Sequence, residues 1–163
     1  MEIVELPDLA NGRKRPGGID TIVIHSMAQY LDTEPYDMGA YDFLKSVGLS
    51  AHALIDPSGC ILRCADDDAL AYHAKGHNTR SLGVEILVPG LHTYSSFLCA
   101  IALRDWYTMP QYHATVDLVR WWLDKHHLTP RAVKTHSNLS PGRKRDPGEG
   151  FPYSEFLKEI ANL

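Results

Sequence analysis

The sequence is short of several features that would place it quickly. Among 163 residues there are only three Cys. An odd, low count argues against a disulfide-built scaffold and predicts a reduced protein made in the cytoplasm. No stretch reaches the ~18 apolar residues of a membrane-spanning helix. Residues 1–15 hold no apolar run followed by a small-residue cleavage site, so no signal peptide is expected. Positive charge is not in excess: 16 Lys and Arg against 20 Asp and Glu leave −4 with neutral His. That disfavours a general binder of nucleic acid or acidic membranes. No internal repeat or low-complexity tract is visible. Gly-x-Ser-x-Gly, a phosphate loop ending in Gly-Lys-Ser/Thr, Gly-x-Gly-x-x-Gly and His-Glu-x-x-His are all missing. Serine acyl transfer, nucleotide chemistry and the commonest zinc-protease pattern are therefore unsupported.

What is present is a chain of one-domain length, 44% apolar, able to bury roughly two thirds of its unfolded surface. A single domain over residues 1–163 is expected, with 1–18 as a loosely ordered lead-in and Arg13-Lys14-Arg15 as a solvated loop. Residues 19–24 end in an apolar β-branched run that predicts a buried strand delivering His25. Tyr36, Ala40, Phe43, Leu44 and Val47 recur at helical spacing between Pro35 and Gly48. Residues 51–64 read as a hairpin turning at Asp56-Pro57-Ser58-Gly59, with Pro and Gly where a type I turn prefers them. Residues 81–88 are a strand, apolar except for Glu85. Residues 89–107 read as a long aromatic-rich loop with a short helix near 95–102. Thr108 and Gln111 fit a capping box, and the helix behind them sets Tyr112, Val116, Val119, Trp122, Leu123 and His126 on one face. A short strand over 131–135 delivers His136, and a last helix spans 153–161. Strands alternating with helices predict an α/β domain whose mixed central β-sheet is flanked by helices.

Nine His stand out in this composition. His25 and His136 each follow an apolar strand, and Asp146 comes ten residues after His136 in a loop dense in Pro and Gly. Two His and a carboxylate make a three-ligand zinc set with a fourth position for water. Spacing alone leaves open two ordinary His and a turn Asp.

Five segments in order narrow the choice: Ile22-Val23-Ile24-His25; Ser50-Ala51-His52-Ala53-Leu54-Ile55-Asp56; Ala71-Tyr72-His73-Ala74; Ser81-Leu82-Gly83-Val84-Glu85; and Thr135-His136-Ser137-Asn138-Leu139-Ser140-Pro141-Gly142-Arg143-Lys144-Arg145-Asp146-Pro147-Gly148. Over roughly residues 19–160 the chain resembles the N-acetylmuramoyl-L-alanine amidases. That family of zinc amidases includes phage endolysins, cytosolic muropeptide-recycling amidases and peptidoglycan recognition proteins. The resemblance implies Zn2+ held by His25, His136 and Asp146, with Glu85 and Lys144 as catalytic residues. Some members carry a tyrosine where this chain has Ala51, and some a Cys where it has Asp146. The recycling branch also has Ala at the first place and uses a glutamate in the Gly-x-Glu strand, where Glu85 stands. Glu85 would then take a proton from water and hand it to the leaving nitrogen, and Lys144 would face the oxyanion. Read without the family, Glu85 is equally a solvent-facing strand end and Lys144 a surface residue of a basic loop.

His73, Asn78 and Arg80 are expected to line the substrate cleft, with Arg80 pairing a stem-peptide carboxylate; a surface loop is the plainer alternative. His52 alternates with Ala51 and Ala53 and reads as structural, and His126 as core. Cys60 and Cys64 read as small apolar packing. The aromatics of 89–107 form either a substrate wall or loop packing. The expected partner is peptidoglycan or muropeptides, acted on by a monomer with no nucleic acid and no membrane span. The leading function is a phage-type endolysin, cytoplasmic as made and reaching the cell wall after lysis or through a holin. The alternatives are a cytosolic anhydro-muropeptide recycling amidase and a non-catalytic peptidoglycan-binding module.

Overall fold

The computed structural model describes residues 2–29 and 38–162. Six strands form one mixed sheet: β1 (Ile3–Glu5), β2 (Thr21–Gln29), β3 (Ala53–Ile55), β4 (Ile61–Arg63), β5 (Ser81–Leu91) and β6 (Val133–Thr135). Their order is β1-β4-β3-β5-β2-β6. All neighbours run parallel except β3 and β4, the predicted hairpin. Its turn closes with Gly59 N–H donating to the Asp56 carbonyl at 2.9 Å.

Both faces of the sheet are covered, so its central strands are apolar on alternate sides. Ile22, Ile24, Val84, Ile86, Ala53 and Ile55 face α2 (Tyr94–Ala102), α3 (Met109–Lys125) and α5 (Tyr153–Ala161), packing with Ile101, Val119, Trp122 and Phe156. Leu54, Leu62 and Leu87 face α1 (Gly39–Ser46), packing with Ala40, Tyr41, Leu44, Cys60 and Cys64. The predicted α/β domain with a mixed sheet between helices is therefore observed, and Cys60 and Cys64 pack as small buried residues.

Local chemistry explains the anchoring of α3. Thr108 and Gln111 form the predicted capping box. The buried Gln111 amide also donates to the carbonyls of Ile55 and Leu87 at 3.1 and 2.7 Å, tying the helix start to the sheet. His126 does not pack in the core as expected. It caps the end of α3 and its Nε2 lies 2.9 Å from Asp67.

Several boundaries differ from those predicted. The lead-in is not loose: β1 pairs with β4, and Lys14 bridges to Ala69. Arg15 of the basic triplet donates to the carbonyls of Asp67 and Ala69 at 2.9 and 3.0 Å. Strand β2 runs five residues beyond the predicted Ile24, because its hydrogen bonding to β5 continues through the polar pair His25-Ser26. The expected short helix near 95–102 is present as α2, capped by Thr93, but β5 reaches Leu91 ahead of it, so the irregular part of 89–107 is shorter than expected. A 3-10 turn (Pro130–Ala132) takes the start of the last predicted strand. The first predicted helix begins only at Gly39; Tyr36 lies outside the described residues. Among the described residues no helix is long and apolar enough to cross a membrane.

Candidate metal centre

The site lies where β6 ends at Thr135 beside β2, while β2 and β5 continue past His25 and Glu85. Strand β6 pairs with β2 only as far as Ile24 opposite Thr135. His25 and His136 follow at the point where the two strands part. His136 opens a short helix, α4 (His136–Leu139), held by a Thr135–Asn138 capping box. The loop after α4 folds back through Ser140, whose carbonyl accepts from Arg143 and Lys144, and Ser137 N–H donates to the Asp146 carbonyl at 3.0 Å. This returns Asp146 to the sheet edge. On the other side of β2, Glu85 of β5 stands in register with His25.

The result is a tight triangle. His25 Nδ1 lies 2.9 Å from His136 Nδ1 and 3.0 Å from Asp146 Oδ2, and His136 Nδ1 lies 2.9 Å from that same oxygen. Both His are buried. Protons alone do not satisfy the triangle. With both Nδ1 atoms protonated, two donors oppose each other at 2.9 Å; with one protonated, two lone pairs do. A cation among them satisfies all three, and two imidazole nitrogens with a carboxylate oxygen are an ordinary donor set for a divalent metal. The arrangement therefore fits a metal cofactor.

Glu85 Oε1 is 3.8 Å from His25 Nδ1, and its Oε2 is buried with no hydrogen-bond partner among the described residues. Burial pushes the Glu85 carboxyl up to about 7; His25 and Lys144 oppose the rise and Asp146 adds to it. For Asp146, burial would also raise the carboxyl, but hydrogen bonds with His136 and His25 outweigh it and hold it far below its ordinary range. Burial lowers His136, whereas the Glu85 and Asp146 charges outweigh burial at His25 and raise it.

A cavity of about 300 Å³ opens over the triangle. Glu85, His73 and Lys144 line it with the three donors. Its apolar walls are Phe43, Leu44, Leu49 and Tyr72 on one side and Tyr94, Phe97 and Leu98 of α2 on the other. Part of the aromatic segment is thus wall, whereas Trp106 and Tyr107 pack near Tyr112 and Phe151. Asn78 and Arg80 do not line the cavity as expected. The Asn78 carbonyl oxygen accepts from the backbone of His73 and Ala74 at 3.1 and 2.7 Å. Arg80 pairs with Asp20 on the exposed surface. His52 is buried and structural: Gly83 N–H donates to its Nδ1 at 3.0 Å, and burial beside Arg15 lowers it to about 3. Among the cavity residues that were not expected at the site are Ser26 and Arg145. The Ser26 hydroxyl is buried without a partner among the described residues; its one sequence signal is a polar residue interrupting an apolar strand straight after His25.

Comparison with known proteins agrees with the geometry. Residues 13–149 match the family model described as N-acetylmuramoyl-L-alanine amidase. The 1,6-anhydro-N-acetylmuramyl-L-alanine amidase AmpD of Salmonella typhimurium (strain SL1344) is 27% identical over 142 residues, covering 80% of this chain and 69% of the relative. A crystal structure of a Se-Met AmpD derivative superposes with a TM-score of 0.72 at 22% identity, covering 97% of this chain and 94% of the other. The amidase LysC from Clostridium intestinale URNW superposes with a TM-score of 0.68 at 21% identity, covering 98% and 97%. The structural likenesses establish the shared fold, and the family match over most of the sequence shows that this chain belongs to the N-acetylmuramoyl-L-alanine amidases.

Proposed function

We propose that the chain is a zinc-dependent amidase that hydrolyses the bond between the lactyl group of muramic acid and L-alanine, acting on peptidoglycan as a phage-type endolysin does. The observation that carries this reading is the triangle of His25, His136 and Asp146 beside the buried carboxylate of Glu85. Zinc, when bound, supplies Lewis acidity that polarises the scissile carbonyl and acidifies water. Glu85, whose pKa near 7 suits a group that both takes and returns a proton, removes a proton from the attacking water. It then delivers that proton to the departing L-alanine nitrogen. Lys144, a fixed cation lining the same cavity, faces the developing oxyanion, a stabilisation of about 3 kcal/mol for one well-placed donor. Tyr72 and the α2 aromatics offer flat apolar surface to sugar rings, and Arg145 at the rim offers a partner for stem-peptide carboxylates.

A second reading, recycling of anhydro-muropeptides, is favoured by the relatives that share 27–28% identity, which are 1,6-anhydro-N-acetylmuramyl-L-alanine amidases. Incubating the protein with purified peptidoglycan, with and without chelator, tests the activity. Mass analysis should find intact glycan strands and free stem peptides beginning with L-alanine, and chelator should abolish both. An unchanged wall together with cleaved anhydro-muropeptides would move the assignment to the second reading; no cleavage of either by the zinc-loaded protein would refute both.

A further inference from the structure

We infer that His73 is a positioning residue: with Ser81 and the His77 carbonyl it forms a one-way hydrogen-bond chain that holds the proton of His25 on Nε2, leaving Nδ1 bare. The inference rests on the reading of His25 as a metal ligand. His73 Nδ1 lies 2.9 Å from His25 Nε2, His73 Nε2 lies 3.1 Å from Ser81 Oγ, and Ser81 Oγ lies 2.8 Å from the His77 carbonyl oxygen.

The far end sets the direction. A carbonyl oxygen only accepts, so the single hydroxyl proton of Ser81 goes to His77. Ser81 Oγ then accepts from His73 Nε2–H. His73, neutral, has a lone pair on Nδ1 and accepts from His25 Nε2–H. The proton of a neutral His25 is thereby used, and its Nδ1 presents a lone pair to the triangle. Among the described residues no carboxylate bonds to His73. Its ring neighbours are His25 and His52, at centroid distances of 5.1 and 5.7 Å, both edge-on.

The surrounding structure is shaped to hold this ring. A Cβ on Gly83 would sit 2.4 Å from His73 Nδ1, so β5 gives up a side chain where the imidazole lies against it. Asn78 accepts from the backbone N–H of His73 and fixes it from the loop side. With both nitrogens engaged, His73 has no group left to bond substrate, although it borders the cavity. Among the described residues His136 has no such support, since its buried Nε2 has no partner there. Outer partners of this kind orient a ligating imidazole, and losing one weakens metal binding by about 10–100-fold.

The test compares His73→Leu, His73→Gln and Ser81→Ala with the wild type, reading zinc affinity by chelator competition and the His25 tautomer by 15N NMR at alkaline pH. His73→Leu should bind zinc about 10–100-fold more weakly. His73→Gln, with an acceptor and a donor side by side, should recover most of the affinity. Ser81→Ala, which keeps the ring but removes the direction-setting hydroxyl, should give a mixed His25 tautomer. It carries the comparison should His73→Leu fail to fold. Equal zinc binding by wild type and His73→Leu, equal losses in the Leu and Gln variants, or a His25 proton on Nδ1 in the metal-free wild type would overturn the inference. If the wild type takes up no zinc, the metal reading fails separately. The tautomer of the metal-free protein then still decides the chain: Nε2–H upholds it and Nδ1–H refutes it.

Discussion

Glu85 is costly where it stands. Its carboxylate sits in a central strand with one oxygen unpartnered among the described residues, and burial raises its pKa to about 7. Between the ordinary carboxyl value and about 7, the folded protein keeps a proton that the unfolded chain has lost, so stability falls as pH rises through that window. Above it the full penalty is present. Glu85→Gln removes it, and the metal-free variant should exceed the metal-free wild type in stability by roughly 2–3 kcal/mol at pH 8, read by denaturant unfolding. The same variant should keep zinc and lose turnover, as expected of a site whose chemistry conflicts with stability. Loss of zinc by Glu85→Gln would make Glu85 a ligand or a structural support. Composition pointed only vaguely to this site. The nine His include the two in the triangle, but the carboxylates of Glu85 and Asp146 became visible only through the order of the motifs.

Among the elements, the end of α3 is held by a carboxylate from the opposite segment. Asp67 is buried and bonds Lys125 at 2.7 Å and His126 at 2.9 Å, with Arg63 and the Trp122 indole N–H each at 3.3 Å. Burial would raise its carboxyl, but the Lys125 and His126 hydrogen bonds and the Arg63 charge hold it below its ordinary value. A depressed carboxyl stabilises the fold above its unfolded pKa, and that contribution is lost as pH falls through the folded value. Asp67→Ala should therefore cost about 1–3 kcal/mol at neutral pH by removing the buried acceptor shared by Lys125, His126, Arg63 and Trp122. The gap from wild type in urea unfolding should shrink in acid, below pH about 4. A gap that does not vary with pH would assign the cost to packing alone. The sequence offered His126 on an apolar helix face without its partner, because a contact 59 residues away has no local signature. The same limit explains the lead-in. The three residues of β1 are too few to show a period, and only pairing with β4 makes them a strand. By contrast, the Thr108–Gln111 box and the Asp56–Gly59 turn were legible because every group they need lies within four residues.

On the scale of the whole molecule, register creates the site. Ile24 opposite Thr135, 111 positions apart, and His25 opposite Glu85, 60 apart, bring distant residues to one opening beside the end of β6. The sequence showed strands leading to His25 and His136 but not that β2 continues past His25 along β5, since a polar pair inside an apolar run reads locally as a strand end. The account stands on three side chains from distant segments acting as one metal centre, and a zinc titration of the metal-free wild type beside Asp146→Ala tests this most directly. It predicts one zinc per chain for the wild type and at least ~100-fold weaker binding for the variant, in which one donor of the set is gone. Zinc held equally tightly by both proteins, or no uptake by a wild type that still cleaves peptidoglycan, would contradict it.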